Sequence, residues 1–248
     1  MSAVFSVKES RHMKKYFEKI FGGGQEEFQK VLSKHLEEEK RLFVVTANPE
    51  TLMTGQENSE FDRLLMDEET CIVPDGIGTV KAAHMLGYDV AERVTGVEIS
   101  QFLLKEAVRQ GKTVFLLGAK EEVVSALAGK LAAKYPNLGI LGYENGYVKD
   151  KDVVFDRIAE LRPDVVLVAL GIPQQELLIY RHLRQFEKGI FVGVGGSFDV
   201  LSGTKKRAPE IFIKLNLEWL YRITTEPKRL GRFFRSNIMF ILKIRKMK

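Results

Sequence analysis

Six short runs rich in β-branched and aliphatic residues recur along the chain, each pair separated by enough sequence for a helix. They are RLFVVTA (41–47), CIVPD (71–75), TVFLLGA (113–119), LGILGY (138–143), DVVLVAL (164–170) and IFVGVGG (190–196). A strand that is apolar on both sides must be covered above and below, and strands alternating with helical periodicity achieve this in a mostly parallel sheet. The expected class is therefore α/β: a Rossmann-like, mostly parallel sheet with helices on both faces, plus a basic amphipathic helical C-terminal appendage. The boundary is drawn between a catalytic domain, 1–204, and the appendage, 205–248. Within the first, residues 1–40 read as helical, with FGGG (21–24) breaking them in two. The 45% of hydrophobic residues are enough for a sizeable core.

The net charge of +5 conceals an asymmetry. From Lys205 onward there are 13 Lys and Arg against 3 Asp and Glu, whereas residues 1–204 carry 25 against 30. Such a tail suits an anionic partner: a nucleic acid, a membrane surface or a phosphorylated substrate. In it Phe212, Leu215, Trp219, Leu220 and Ile223 fall on one helical stripe, and Leu230, Phe233, Phe234, Ile238, Ile241 and Leu242 on a second. No stretch reaches the roughly 18 uncharged apolar residues of a membrane span. A basic amphipathic helix can instead lie on an anionic leaflet. A single cysteine, Cys71, excludes an internal disulfide framework, and MSAVFSVKESRHMKK lacks the apolar core of a signal peptide, so a cytoplasmic protein is expected.

In a parallel sheet, ligands gather beyond the carboxyl ends of the strands. There the chain delivers Thr46-Ala47-Asn48-Pro49, Asp75-Gly76-Ile77-Gly78, Gly118-Ala119-Lys120, Gly171-Ile172-Pro173-Gln174-Gln175-Glu176 and Gly195-Gly196-Ser197. Helix capping would by itself account for Asn48 and Asp75, tight turns for the glycines, and the helix dipole for Gln175 and Glu176. No G-x-G-x-x-G follows a strand, which argues against a nicotinamide-dependent oxidoreductase. Gly111-Lys112-Thr113 precedes a strand and so is no phosphate loop. Asp150-Lys151-Asp152 opens a helix and reads as a cap, and the four histidines are scattered, so no metal and no cofactor are expected. The aromatic and aliphatic content of FFRSNIMFILKI exceeds what phosphate tracking needs, so no nucleic-acid partner is expected.

The ordered set TANPE (46–50), VPDGIG (73–78), RVTG (93–96), GIPQQE (171–176), GVGGSFDVLSG (193–203) and RAPE through LEWLYRITTEPKRLGR (207–232) resembles the WecG/TagA/CpsF glycosyltransferase family, over about three quarters of the chain. The resemblance implies an inverting, metal-independent transferase, peripheral on the inner face of the cell membrane. It would pass a sugar from a UDP-sugar, typically N-acetylmannosamine, or else its uronic acid or glucose, to undecaprenyl-diphosphate-linked N-acetylglucosamine in cell-wall or teichoic acid-type synthesis. By the same resemblance the catalytic aspartate falls on Asp75, the substrate-site threonine and asparagine on Thr46 and Asn48, the sugar-site arginine on Arg93 and the glutamine on Gln175. The three arginines of the appendage fall on Arg222, Arg229 and Arg232. Glu98 stands where many members carry aspartate. A homo-oligomer is compatible with this reading.

The chemistry fits such an assignment. Inversion needs one base to take the acceptor hydroxyl's proton as it attacks the anomeric carbon. Partial burial of Asp75 would favour that role. Gly118 and Gly171 would let backbone and substrate approach closely. The leaving diphosphate calls for forked donors, and Arg222, Arg229 and Arg232 are expected to close over it when the appendage meets the membrane.

Overall fold

The structure is a computed structural model that describes residues 7–215, 217–225 and 230–247. The six expected strands are present: β1 (Arg41–Ala47), β2 (Thr70–Pro74), β3 (Thr113–Gly118), β4 (Gly139–Glu144), β5 (Val165–Ala169) and β6 (Gly189–Gly193), each within a residue of its predicted bounds except that β6 ends three residues early, where the glycines turn toward the helix that follows. They form one sheet in the order β2-β1-β6-β5-β3-β4, and every pairing is parallel. The first two helices are α1 (Val7–Lys19) and α2 (Gln25–Glu37), separated as the glycine run predicts. Between them Ile20 bridges to Ile72 and Phe21 N–H donates to Ile72 O at 2.8 Å, which covers the β2 edge of the sheet.

Alternation along the strands divides the interior in two. Phe43, Val45, Phe115, Leu117, Val166, Val168 and Phe191 face one layer, and Val44, Val114, Leu116, Val165, Leu167, Ile190 and Val192 face the other. The first layer is built from α1, α3 (Pro49–Glu57), α4 (Ser59–Met66), α5 (Ile77–Met85), α8 (Lys151–Leu161) and α9 (Gln174–His182). The second is built from α2, α6 (Gly96–Gln110), α7 (Glu121–Lys134) and α10 (Ser197–Ser202). Asp150 caps α8 by accepting from Asp152 N and Val153 N, the capping role read from the sequence.

The C-terminal region contains α11 (Glu210–Lys214), α12 (Glu218–Thr225) and α13 (Leu230–Met247). Helix α11 buries none of its residues, and Leu215 and Trp219 are exposed. Helix α13 returns to the body and places Phe240, Ile244 and Met247 in the first core layer. These three recur at helical spacing on a different side from Ile238, Ile241 and Leu242 of the predicted stripe. The described members of that stripe, Ile238, Ile241 and Leu242, are 47–48% exposed.

Candidate functional site

The chain leaving β1 turns into α3 on one face of the sheet, while the chain leaving the adjacent β6 turns into α10 on the other. Neighbouring strands whose connections part in this way leave a crevice at their carboxyl ends. Thr46 stands there, buried, its hydroxyl donating to Gly193 O across the two strands at 3.0 Å. Gly96, the first residue of α6, packs over the same point: a Cβ on it would lie 3.7 Å from the Thr46 methyl and 3.5 Å from Ser197 Oγ.

Asn48 is the N-cap of α3. Its Oδ1 accepts from Thr51 N at 3.0 Å, and Thr51 Oγ1 accepts in return from Asn48 N. The cap uses the oxygen of the amide. The NH2 group of Asn48 has no hydrogen-bond partner among the described residues and is available to a substrate oxygen.

Asp75 follows β2 directly. Its backbone N–H donates to Ala47 O at 2.9 Å, so the turn stays pinned to the end of β1. Gly76 then takes φ +113°, a conformation side chains rarely adopt, and the chain enters α5. Thr79 Oγ1 donates to the same Ala47 carbonyl at 3.0 Å. The Asp75 side chain is half-buried. Arg93 belongs to the same pair of strand ends, because Val94 N–H donates to Pro74 O at 2.8 Å and extends the β2 side by one link. The arginine is 15% exposed. Its Nη1 donates to Glu218 of α12 at 3.5 Å and its Nη2 to Ile213 O at 3.4 Å.

The next residues form a capping box in which Thr95 and Glu98 satisfy each other's backbone donors at the start of α6. Glu98 also accepts from Arg207 at 3.1 Å. Its carboxylate thus closes the helix and ties down the root of the C-terminal region.

Gln175, at the start of α9, is 2% exposed. Its Oε1 accepts from Gly171 N and from Gly195 N, each at 3.0 Å, and so staples the β5 and β6 loops together. Its Nε2 donates to Glu176 Oε1 at 2.7 Å. This glutamine therefore shapes the rim from beneath. Glu176 is fully buried, and its Oε2 has no hydrogen-bond partner among the described residues. Burial pushes its carboxyl up to about 7, against the hydrogen bond from Gln175 that favours the charged form, with Glu50 adding to the rise. From the sequence it reads as a dipole-complementing surface acid, since nothing in one chain shows that the first turn of α9 is turned inward.

Gly118, at φ +120°, lies so close to β5 that a Cβ would meet the Ala169 backbone at 2.5 Å. Its close approach is to the neighbouring strand. Gly171, at φ +80°, has open space where a side chain would be. The structure thus gathers Thr46, Asn48, Asp75, Arg93 and Gln175 around the carboxyl ends of β2, β1, β6 and β5, while Gly118 lies beyond β5. Arg222 and Arg232 belong by their backbones to α12 and α13, with side chains outside the described residues, as is the whole of Arg229. Among the described residues, no group of three or more His, Cys, Asp or Glu is placed to hold a metal ion. Sequence reasoning missed the tie from Arg93 to Glu218. The only signal for it is that Glu218 is one of 3 acidic residues in a C-terminal region with 13 Lys and Arg.

A family model described as the Glycosyl transferase WecG/TagA/CpsF family matches residues 19–248. A Bacillus spizizenii protein named N-acetylglucosaminyldiphosphoundecaprenol N-acetyl-beta-D-mannosaminyltransferase is 40% identical over 198 residues, 80% of this chain and 77% of the relative. A Bacillus subtilis protein of the same name is 40% identical over 202 residues, 81% of this chain and 78% of the relative. A Staphylococcus aureus protein, again of that name, is 43% identical over 208 residues, 84% and 81% of the two chains.

Proposed function

The chain belongs to the WecG/TagA/CpsF glycosyltransferase family, and on that premise we propose that it transfers N-acetylmannosamine, with inversion, from UDP to the N-acetylglucosamine of an undecaprenyl-diphosphate-linked acceptor. The step belongs to the synthesis of a surface polymer of the teichoic acid type. The donor sugar and acceptor follow the activity named for relatives 40–43% identical to this chain. One observation carries the mechanism: a single half-buried carboxylate, Asp75, is held at the joined ends of β1 and β2 with Asn48 and Arg93 anchored to the same two strand ends.

In this reading Asp75 accepts the proton of the acceptor hydroxyl as that oxygen forms its bond to the anomeric carbon. The bond from that carbon to the diphosphate oxygen breaks on the opposite side, and UDP departs with the electron pair. General-base assistance of this kind contributes about 10²–10⁴-fold. Thr46 and Asn48 cannot act as bases at neutral pH. Asn48, with its NH2 group open, orients a sugar oxygen, and Thr46 with Gln175 fixes the floor of the crevice. Charge developing on the diphosphate is met by Arg93 and by Arg222, Arg229 and Arg232 of the C-terminal region.

No helix among the described residues is long and apolar enough to cross a membrane. Helix α13 instead exposes Ile238, Ile241 and Leu242 beside Arg245 and Lys246. That combination supports a peripheral enzyme resting on the anionic cytoplasmic leaflet, where the lipid-linked acceptor is reached without leaving the bilayer. The test is transfer by the purified protein from a panel of UDP-sugars to a lipid-diphosphate N-acetylglucosamine analogue. UDP-N-acetylmannosamine is the expected donor. Exclusive use of another UDP-sugar would overturn the donor assignment, and no transfer from any would overturn the function.

A further inference from the structure

We propose that Glu218 is a positioning residue for transfer, holding the Arg93 guanidinium at the rim of the site so that its remaining donors face the substrate. This role rests on the function proposed above. Arg93 is adjacent to Val94, whose backbone bond to Pro74 fixes the arginine's backbone beside Asp75. Its long side chain would otherwise sample many rotamers and lose that freedom only when the substrate arrives. Two contacts limit it: Glu218 Oε2 takes one hydrogen of Nη1, and Ile213 O takes one of Nη2. Of the five guanidinium donors, the other three have no partner among the described residues. An arginine side chain only 15% exposed with three open guanidinium donors calls for an anionic or oxygen-rich ligand.

The surroundings fit a support whose main effect falls on the site. Glu218 is itself 10% exposed and reaches Arg93 from α12, 125 residues along the chain. A few residues on, Arg207 of the same C-terminal region pairs with Glu98 at 3.1 Å, and Glu98 Oε2 accepts from Thr95 Oγ1 at 2.7 Å. Residues 93–98 are thus tied to the C-terminal region at both ends. Helix α11, between the two ties, buries none of its residues. Contacts of 3.4–3.5 Å are long for charge-assisted hydrogen bonds, so the guanidinium is oriented and still free to tighten onto a diphosphate or sugar oxygen.

The test is a double-mutant cycle in the transfer assay with UDP-N-acetylmannosamine and the lipid-diphosphate acceptor analogue, using Arg93→Ala, Glu218→Gln and both together. Glu218→Gln is expected to lower kcat/KM by about 10-fold, the scale of one charge-assisted hydrogen bond. The loss should appear in the same parameter, kcat or KM, that Arg93→Ala changes, and the double variant should be no worse than Arg93→Ala alone. Glu218→Asp, which keeps the charge on a shorter side chain, should recover part of the activity. Thermal melting read alongside separates a docking role, because a merely structural Glu218 would give losses that add to those of Arg93→Ala. Additive losses, or a folded Glu218→Gln with wild-type kcat and KM, would overturn the assignment. If Glu218→Gln does not fold, the cycle is run with Glu218→Asp under the same two criteria. Absence of wild-type turnover would strike the donor and acceptor reading, whereas an indifferent Glu218 variant would strike this role alone.

Discussion

Replacing Glu176 by glutamine isolates what it takes to bury a carboxyl behind the site. The ordinary value of the group is 4.5 and burial in the fold raises it to about 7, so between those pH values the folded protein holds a proton that the unfolded chain has released. Stability therefore falls as pH rises through that window and levels off above the folded value. A shift of this size corresponds to about 3 kcal/mol, at 1.36 kcal/mol per unit. Glutamine preserves the shape and can still accept from Gln175 Nε2, but it never ionises. The variant should match the wild type only below the unfolded value, at about pH 4, and exceed it by up to about 3 kcal/mol at about pH 8. In melting temperature that is roughly 6–12 °C for a chain of this size. Urea denaturation of both proteins at the two pH values reads the difference directly, since every other titrating group cancels. Curves that remain parallel from acid to alkaline pH would refute the reasoning.

Three further outcomes follow from particular contacts. Gly76→Ala forces a Cβ onto a residue at φ +113° and should destabilise the protein by about 1–3 kcal/mol, while misdirecting Asp75 enough to reduce transfer more than melting temperature alone explains. Gln175→Ala strips the shared acceptor from Gly171 N and Gly195 N, and should destabilise by about 2–5 kcal/mol in denaturant titrations, with loss of activity as the β5 and β6 loops part. Changing Ile238, Ile241 and Leu242 together to asparagine should leave the melting temperature within a few degrees, because these side chains are exposed. It should release the protein from anionic vesicles in a co-sedimentation assay, and unchanged binding would remove α13 from the membrane reading.

Much of this architecture is legible in the sequence because parallel strands buried on both faces leave an unmistakable alternation of apolar runs and helical spacing. RLFVVTA coincides with β1, and Gly111, in the left-handed conformation after α6, marks the turn that the false phosphate-loop match contains. Thr46, Asn48, Asp75 and Gln175 could be read off as rim residues as well, since they stand at or after strand ends, whereas Arg93 follows no strand and is indicated by the family resemblance alone. Strand order could not, because β1 lies beside β6 only through crossovers that no local pattern encodes. The second stripe in the tail is apolar in sequence, yet its described members in α13, Ile238, Ile241 and Leu242, are exposed. Phe240, Ile244 and Met247 form a second apolar face that packs on the core, and periodicity alone cannot say which of two apolar faces is covered. The tie from Arg93 to Glu218 and the inward turn of Glu176 depend on tertiary placement in the same way.

The account turns on the carboxylate of Asp75 removing the proton from the acceptor hydroxyl. Transfer from UDP-N-acetylmannosamine to the lipid-diphosphate N-acetylglucosamine analogue, compared between wild type and Asp75→Asn at matched folding, measures this directly. The predicted result is a loss of kcat of about 10²-fold or more with UDP-sugar binding largely retained. An Asp75→Asn enzyme that turns over within a few-fold of wild type would contradict it.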